Sequence, residues 1–133
     1  MEGRGKLGQN EAGVFGADLG LNAYQAGAMN TALGQVSGID GLVYCSLKLN
    51  GEAGEVAELV GKWMRGDYGE YVRGEFPAAQ LERLIKEAGD VQWYLAALMN
   101  RAGVSLAGMA AYNLDKLELR RREGKLRGSG SDR

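Results

Sequence analysis

The sequence predicts an all-α protein, and three observations lead there. No segment alternates apolar and polar residues in the way a half-buried strand requires. Proline occurs once in 133 residues, and β-turn dipeptides are scarce, so hairpins lack their usual punctuation. Apolar residues instead recur at steps of three and four within segments bounded by glycine, the period of helices that bury one face. Four such segments joined by short links suggest a helical bundle.

Each element has its own local signals. Residues 1–20 carry Gly3, Gly5, Gly8, Gly13, Gly16 and Gly20 with little periodic apolar content, and read as a mobile arm. A first helix is expected from Asn22, as N-cap, to about Leu33, ended by Gly34 and Gly38. The second should run from about Asp40 to Arg65 on a buried stripe of Leu49, Ala53, Val56, Val60 and Trp63 or Met64, with Gly66 as its stop. A polar connection, GDYGEYVRGEF, leads to Pro77, whose fixed φ suits a helix start. The third helix is expected over about Pro77 to Ala102, its seam formed by Leu81, Leu84, Ile85, Ala88, Val91, Leu95, Leu98 and Ala102, with Gly103 at its C-terminus. Ser105 then reads as an N-cap, and the fourth helix extends to about Arg122 on Leu106, Ala110, Leu114 and Leu117, ended by Gly124.

Composition narrows the function. Apolar residues at 45% and charged residues at 25% describe a globular chain of one domain, and a net charge of −1 lacks the basic excess of a nucleic-acid-binding face. One cysteine, Cys45, excludes an internal disulfide and a cysteine-rich zinc site. The longest apolar run, Trp93 to Met99, is far short of a membrane span, so neither a membrane nor a nucleic-acid polymer is expected as partner and the expected location is the cytoplasm. Histidine is absent, which removes the commonest general base and imidazole metal ligand. Catalysis would have to run on carboxylates, lysines, tyrosines or metal-bound water.

The carboxylates have a pattern. In LNGEAGEVAE, Glu52 and Glu55 stand about 60° apart on one helical face, while Glu58 drifts round by about 120° from Glu52. The third helix repeats the spacing with Glu87 and Asp90 in KEAGDVQWYL. Brought together, four carboxylates need a positive charge between them, and an all-oxygen donor set without His or Cys points to Mg²⁺ or Mn²⁺. Magnesium keeps water ligands and bridges to phosphates, which makes a phosphorylated compound the natural second ligand. Asn113, Lys116 and Arg120 form a polar face on the fourth helix suited to phosphate oxygens, and Lys62 lies two turns beyond Glu55. Taken singly, these features are commonplace: E-x-x-E is usually solvated surface, a basic helix end complements the dipole, and Trp63, Trp93 and Tyr94 are ordinary core aromatics. Only their conjunction points to a site.

That conjunction resembles a family. LKLNGEAGEVAELVGKW, LIKEAGDVQWYLAAL and NLDKLELRRREGKLRGSGSDR, in that order, together with YQAGAMNTA, are similar to the MazG-like all-α nucleoside triphosphate pyrophosphohydrolases over about residues 21–133. The resemblance implies a four-helix MazG-like bundle over 21–123, completed by homo-oligomerisation to a dimer or tetramer, and a native tail, 124–133, that orders over the substrate. It implies Mg²⁺-dependent cleavage of the α–β bond of a (d)NTP to monophosphate and pyrophosphate, with Mn²⁺ as substitute. Glu52, Glu55, Glu87 and Asp90 would be the metal ligands, with Glu52 or Glu55 taking the water's proton and Lys116 neutralising developing charge. Asn113, Lys116 and Tyr94 would hold phosphates, with Lys62, Arg120, Lys125, Arg127 and Arg133 as further cationic contacts. Gln25 and Trp63 are the expected base contacts, and Glu58 an additional metal or supporting residue. The tail's likeness to small phage members points to a guanine nucleotide and, for a phage-encoded chain, to the host cytoplasm. A non-catalytic helical module that binds nucleotide and metal is the rival reading.

Overall fold

A computed structural model describes residues 18–34, 38–69, 71 and 76–125. The expected arm before residue 18 and the tail after residue 125, with Arg127 and Arg133, lie outside the described residues. Among those described, the chain is helical without a named strand: α1 spans Leu21–Met29, α2 Gly38–Met64, α3 Ala78–Arg101 and α4 Leu106–Arg122. No helix among them is long and apolar enough to cross a membrane.

Helix ends follow the local chemistry closely at three of the four elements. Beyond α2, Gly66 adopts φ 83° and Asp67 N–H donates to Lys62 C=O at 3.0 Å. Beyond α3, Gly103 adopts φ 72° and Val104 N–H donates to Met99 C=O at 2.9 Å. Both are left-handed closures that satisfy carbonyls otherwise without a donor, and glycine takes that conformation without steric cost. The same backbone bond closes α4, from Lys125 N–H to Arg120 C=O at 2.8 Å. Pro77 occupies the N-cap of α3, and Ser105 caps α4 by accepting from Gly108 N–H at 3.0 Å.

The first helix departs from expectation. It begins one residue before Asn22, with Gly20 as N-cap, and ends at Met29 rather than near Leu33. Asn22 does not cap its own helix. Its Oδ1 accepts from Ala107 N–H at 3.0 Å, in the first turn of α4. Gln25 lies beside it with 8% of its surface exposed. Its Nε2 donates to Ala96 C=O at 3.2 Å and Val104 C=O at 3.1 Å, while Oε1 accepts from Leu106 N–H at 3.0 Å. Thus α1 caps α4 from a distance, and the same amide ties in the end of α3.

The principal packing is α2 against α3, with α1 against α3 and the start of α4 seated on both α1 and α3. Small side chains permit the close approach: Cys45 of α2 and Ala97 of α3 are buried together, surrounded by Tyr44, Trp93, Tyr94 and Leu98. A second cluster joins Ala28, Ala96 and Leu106, with Tyr24, Met29, Leu95, Met99 and Met109 around it.

The buried stripe of α2 overlaps the expected one and extends it. Cys45 and Leu59 are buried and Leu49, Val56, Val60 and Trp63 half-buried, whereas Ala53 and Met64 are exposed. The stripe is Cys45, Leu49, Glu52, Val56, Leu59 and Trp63, at alternating steps of four and three. On α3 the corresponding line is Gln80, Leu84, Glu87, Val91, Tyr94 and Leu98, all half-buried; the expected Leu81 and Leu95 are half-buried beside it, and Ile85, Ala88 and Ala102 are exposed. A reading restricted to apolar residues found most of both faces but left out the two acidic positions that lie within them. On α4, Leu106 is buried as expected, but Leu114 is 65% and Leu117 39% exposed. The seam of α4 continues past the helices that cover its beginning.

Candidate functional site

The two glutamates in these stripes face one another across the α2–α3 pair. Their side chains are 13% and 16% exposed for Glu52 and Glu87, respectively. Asp90, one turn after Glu87, is exposed and completes the group. One carboxylate oxygen from each of Glu52, Glu87 and Asp90 lies within 4.8 Å of the others. Glu55 is exposed and does not join this group.

A cleft of about 350 Å³ opens over the group, lined by Thr31, Glu52, Asp90, Trp93 and Tyr94. Its aromatic wall is fixed from behind. Trp93 Nε1 donates to Thr31 Oγ1 at 2.8 Å, and that hydroxyl donates to Ala28 C=O at 2.7 Å, so α3 is tied to the end of α1. Tyr94 packs edge-on against Trp93, with ring centroids 4.9 Å apart, and against Tyr44 at 6.2 Å. Burial, then hydrogen bonding with Tyr44 and the neighbouring charges including Glu52, push the Tyr94 phenol up to about 12. It is therefore neutral at physiological pH. Tyr24 of α1 is also held above the usual phenol range, first by burial and then by the charge of Asp90.

Three converging carboxylates repel one another, and the site carries its own compensation. Lys48 Nζ lies 3.2 Å from Glu52 Oε1, and Arg83 Nε lies 3.6 Å from Glu87 Oε1. Each cation stands four residues before its carboxylate. Lys48 also lies over the Tyr94 ring, 5.5 Å from its centroid. The Glu52 carboxylate, through a hydrogen bond and its charge, raises Lys48 above the ordinary lysine range. The all-oxygen donor set suits a hard divalent cation, and its two half-buried members are held by helix packing rather than by loops.

Other expected residues lie elsewhere. Gln25 has both N–H groups engaged at the α1–α3–α4 junction, so its amide serves packing rather than presenting donors to a base. Trp63 packs against Tyr71 and Phe76, with centroids 5.0 and 5.3 Å away, at the far end of the α2–α3 pair. Lys62 pairs with Glu58 at 2.8 Å, and Lys125 with Glu123 at 3.0 Å. Asn113, Lys116 and Arg120 are carried by α4, and none is among the described residues lining the cleft. Conversely, Lys48, Arg83, Thr31 and Tyr24 were not singled out from the sequence. The two cations were visible as partners four residues before Glu52 and Glu87. The contacts of Thr31 and Tyr24 depend on tertiary packing.

No protein-family model and no solved structure matches the chain. It is 37% identical over 117 residues to the Gene 37 protein of Mycobacterium phage L5, an alignment covering 85% of this chain and 98% of that protein. A match of that extent reaches across the helices that build the cleft, and the chain belongs to the family of the mycobacteriophage L5 Gene 37 protein.

Proposed function

We propose that the protein is a Mg²⁺-dependent nucleoside triphosphate pyrophosphohydrolase that splits the α–β bond of a (d)NTP, with a guanine nucleotide as the expected substrate. One observation carries the reading: Glu52 and Glu87 occupy half-buried positions between two packed helices and converge with Asp90 to within 4.8 Å. Carboxylates so placed cost stability relative to apolar residues, a cost that functional sites commonly carry.

Glu52, Glu87 and Asp90 would hold the cation, which supplies a Lewis acid for the phosphoryl oxygens and a more acidic bound water. Glu52, or Glu55 outside the cleft lining, is the group to accept the proton of the attacking water. Tyr94, kept neutral, offers its hydroxyl to the ligand, and Trp93 gives a flat apolar surface beside the phosphate end. Asn113, Lys116 and Arg120 are the proposed phosphate ligands, which requires the exposed half of α4 to meet a cleft. A homo-oligomer would satisfy that need and also cover Leu114 and Leu117.

The test is release of pyrophosphate from each of the four dNTPs and four NTPs in the presence of Mg²⁺, then Mn²⁺. Turnover to monophosphate and pyrophosphate supports the reading, and the absence of turnover on all eight overturns it. The position of Glu55 and Lys116 outside the cleft lining favours one rival, a module that binds nucleotide and metal without turnover. Glu55→Gln separates the two on a folded protein, because only the enzyme has activity to lose.

A further inference from the structure

Four lysine or arginine residues form ion pairs with a glutamate four positions away on α2 or α3, and they fall into two kinds. In Glu58–Lys62 and Glu82–Lys86 the acid precedes the base, the order that stabilises a helix better, and the glutamates are open to solvent. In Lys48–Glu52 and Arg83–Glu87 the order is reversed and the glutamates are the two packed between the helices. Helix-surface stabilisation does not account for the reversed pairs. Their common property is a carboxylate of the acidic cleft.

We propose that Lys48 is the exchangeable counter-ion of this cleft: it neutralises Glu52 until a divalent cation takes the carboxylate over, then transfers to the anionic part of the incoming ligand. This rests on the cation-dependent reading of the site. Lys48 Nζ is held between two groups that line the cleft, 3.2 Å from Glu52 Oε1 and 5.5 Å from the centre of the Tyr94 ring. Its side chain is 44% exposed, so the ammonium can leave Glu52 by rotation of its own flexible stem while remaining beside Tyr94. A divalent cation bound by Glu52, Glu87 and Asp90 satisfies the charge that Lys48 and Arg83 otherwise compensate. Lys48 is then a cation at the cleft wall without its carboxylate, and a phosphate oxygen is the partner that restores the balance. Arg83 makes no contact with a cleft-lining ring among the described contacts, and is assigned the counter-ion part alone.

The experiment uses full-length wild type, Lys48→Met, Lys48→Arg and, as a charge control, Lys86→Met, each checked for helix content. Mn²⁺ alone is titrated by electron paramagnetic resonance, and inorganic triphosphate is then titrated calorimetrically in the presence of Ca²⁺. Lys48→Met should bind Mn²⁺ roughly two- to fivefold more tightly, the factor expected from removing one partly exposed competing ion pair. It should bind triphosphate roughly fivefold or more weakly, from the loss of one charge-assisted contact. Lys48→Arg should stay near wild type for triphosphate, and Lys86→Met should change neither titration. Equal Mn²⁺ shifts in Lys48→Met and Lys86→Met, or unchanged triphosphate binding in Lys48→Met, overturn the exchange while leaving a cation site in place. If neither wild type nor Lys48→Met binds Mn²⁺, the cation reading and the exchange fall together.

Discussion

The α2–α3 pair and α4 use the same kind of helical seam to opposite ends. Along α2 and α3 the seam is covered throughout, yet Glu52 and Glu87 interrupt it with carboxylates. Along α4 the residues are the expected apolar ones, but beyond Ala110 the cover runs out and Leu114 is 65% exposed. The first region buries what is costly to bury, and the second exposes what is favourable to bury. In the function proposed above, the first arrangement would serve a cation and the second a partner surface.

The largest effect should come from the covered seam. Leu59→Ala, at a fully buried position of α2, should lower unfolding free energy by about 3 kcal/mol in a denaturant titration, whereas Leu114→Ala in the dissociated chain should stay within about 0.5 kcal/mol of wild type. Comparable losses from both would erase the contrast. Next in size is the junction that holds α4: Gln25→Ala leaves Leu106 N–H, Ala96 C=O and Val104 C=O without their amide partner. The loss should be about 2 kcal/mol, with α4 amides exchanging faster than those of α2 by hydrogen exchange.

A substitution of opposite sign tests the acidic seam. Glu52→Leu restores an apolar residue between Leu49 and Val56, and should raise stability by about 1 kcal/mol while abolishing pyrophosphate release. A destabilised variant would mean that Glu52 supports the fold rather than a site. The smallest effect is spectroscopic. Tyr94 titrates at about 12 in the folded chain, above the unfolded tyrosine value of about 10. Its contribution to stability is fully present below pH 10 and is lost as pH rises from there through 12. In the ultraviolet difference titration of wild type against Tyr94→Phe, the phenolate signal should rise near pH 12, and a midpoint near 10 would place the ring in an ordinary solvated setting.

The same contrast explains what could be read from the sequence. Gly66, Gly103, Ser105 and Pro77 act on their immediate neighbours, so helix ends were legible. Most of both stripes was legible from the apolar period, but Glu52 and Glu87 were placed beside the seam when they are seam positions at steps of four and three. Spacing paired Glu52 with Glu55 and Glu87 with Asp90 as one set of four carboxylates, and only the packing shows that Glu52, Glu87 and Asp90 converge while Glu55 stands outside. Asn22 and Gln25 were assigned to a helix start and a base contact because their partners on α4 are 85 and 81 residues away. Trp63 and Trp93 are alike in sequence, and only the packing of α1 on α3 sets Trp93 beside the cleft.

The central claim is that carboxylates held in the α2–α3 seam serve phosphoanhydride hydrolysis. Its most direct test is the product formed from dGTP and Mg²⁺ by full-length wild type and by Glu87→Gln of equal helix content. The account predicts dGMP and pyrophosphate from wild type and at least a hundredfold lower rate, on the order of a lost electrostatic stabiliser, from the variant. Equal rates in the two proteins, or orthophosphate in place of pyrophosphate, would contradict it.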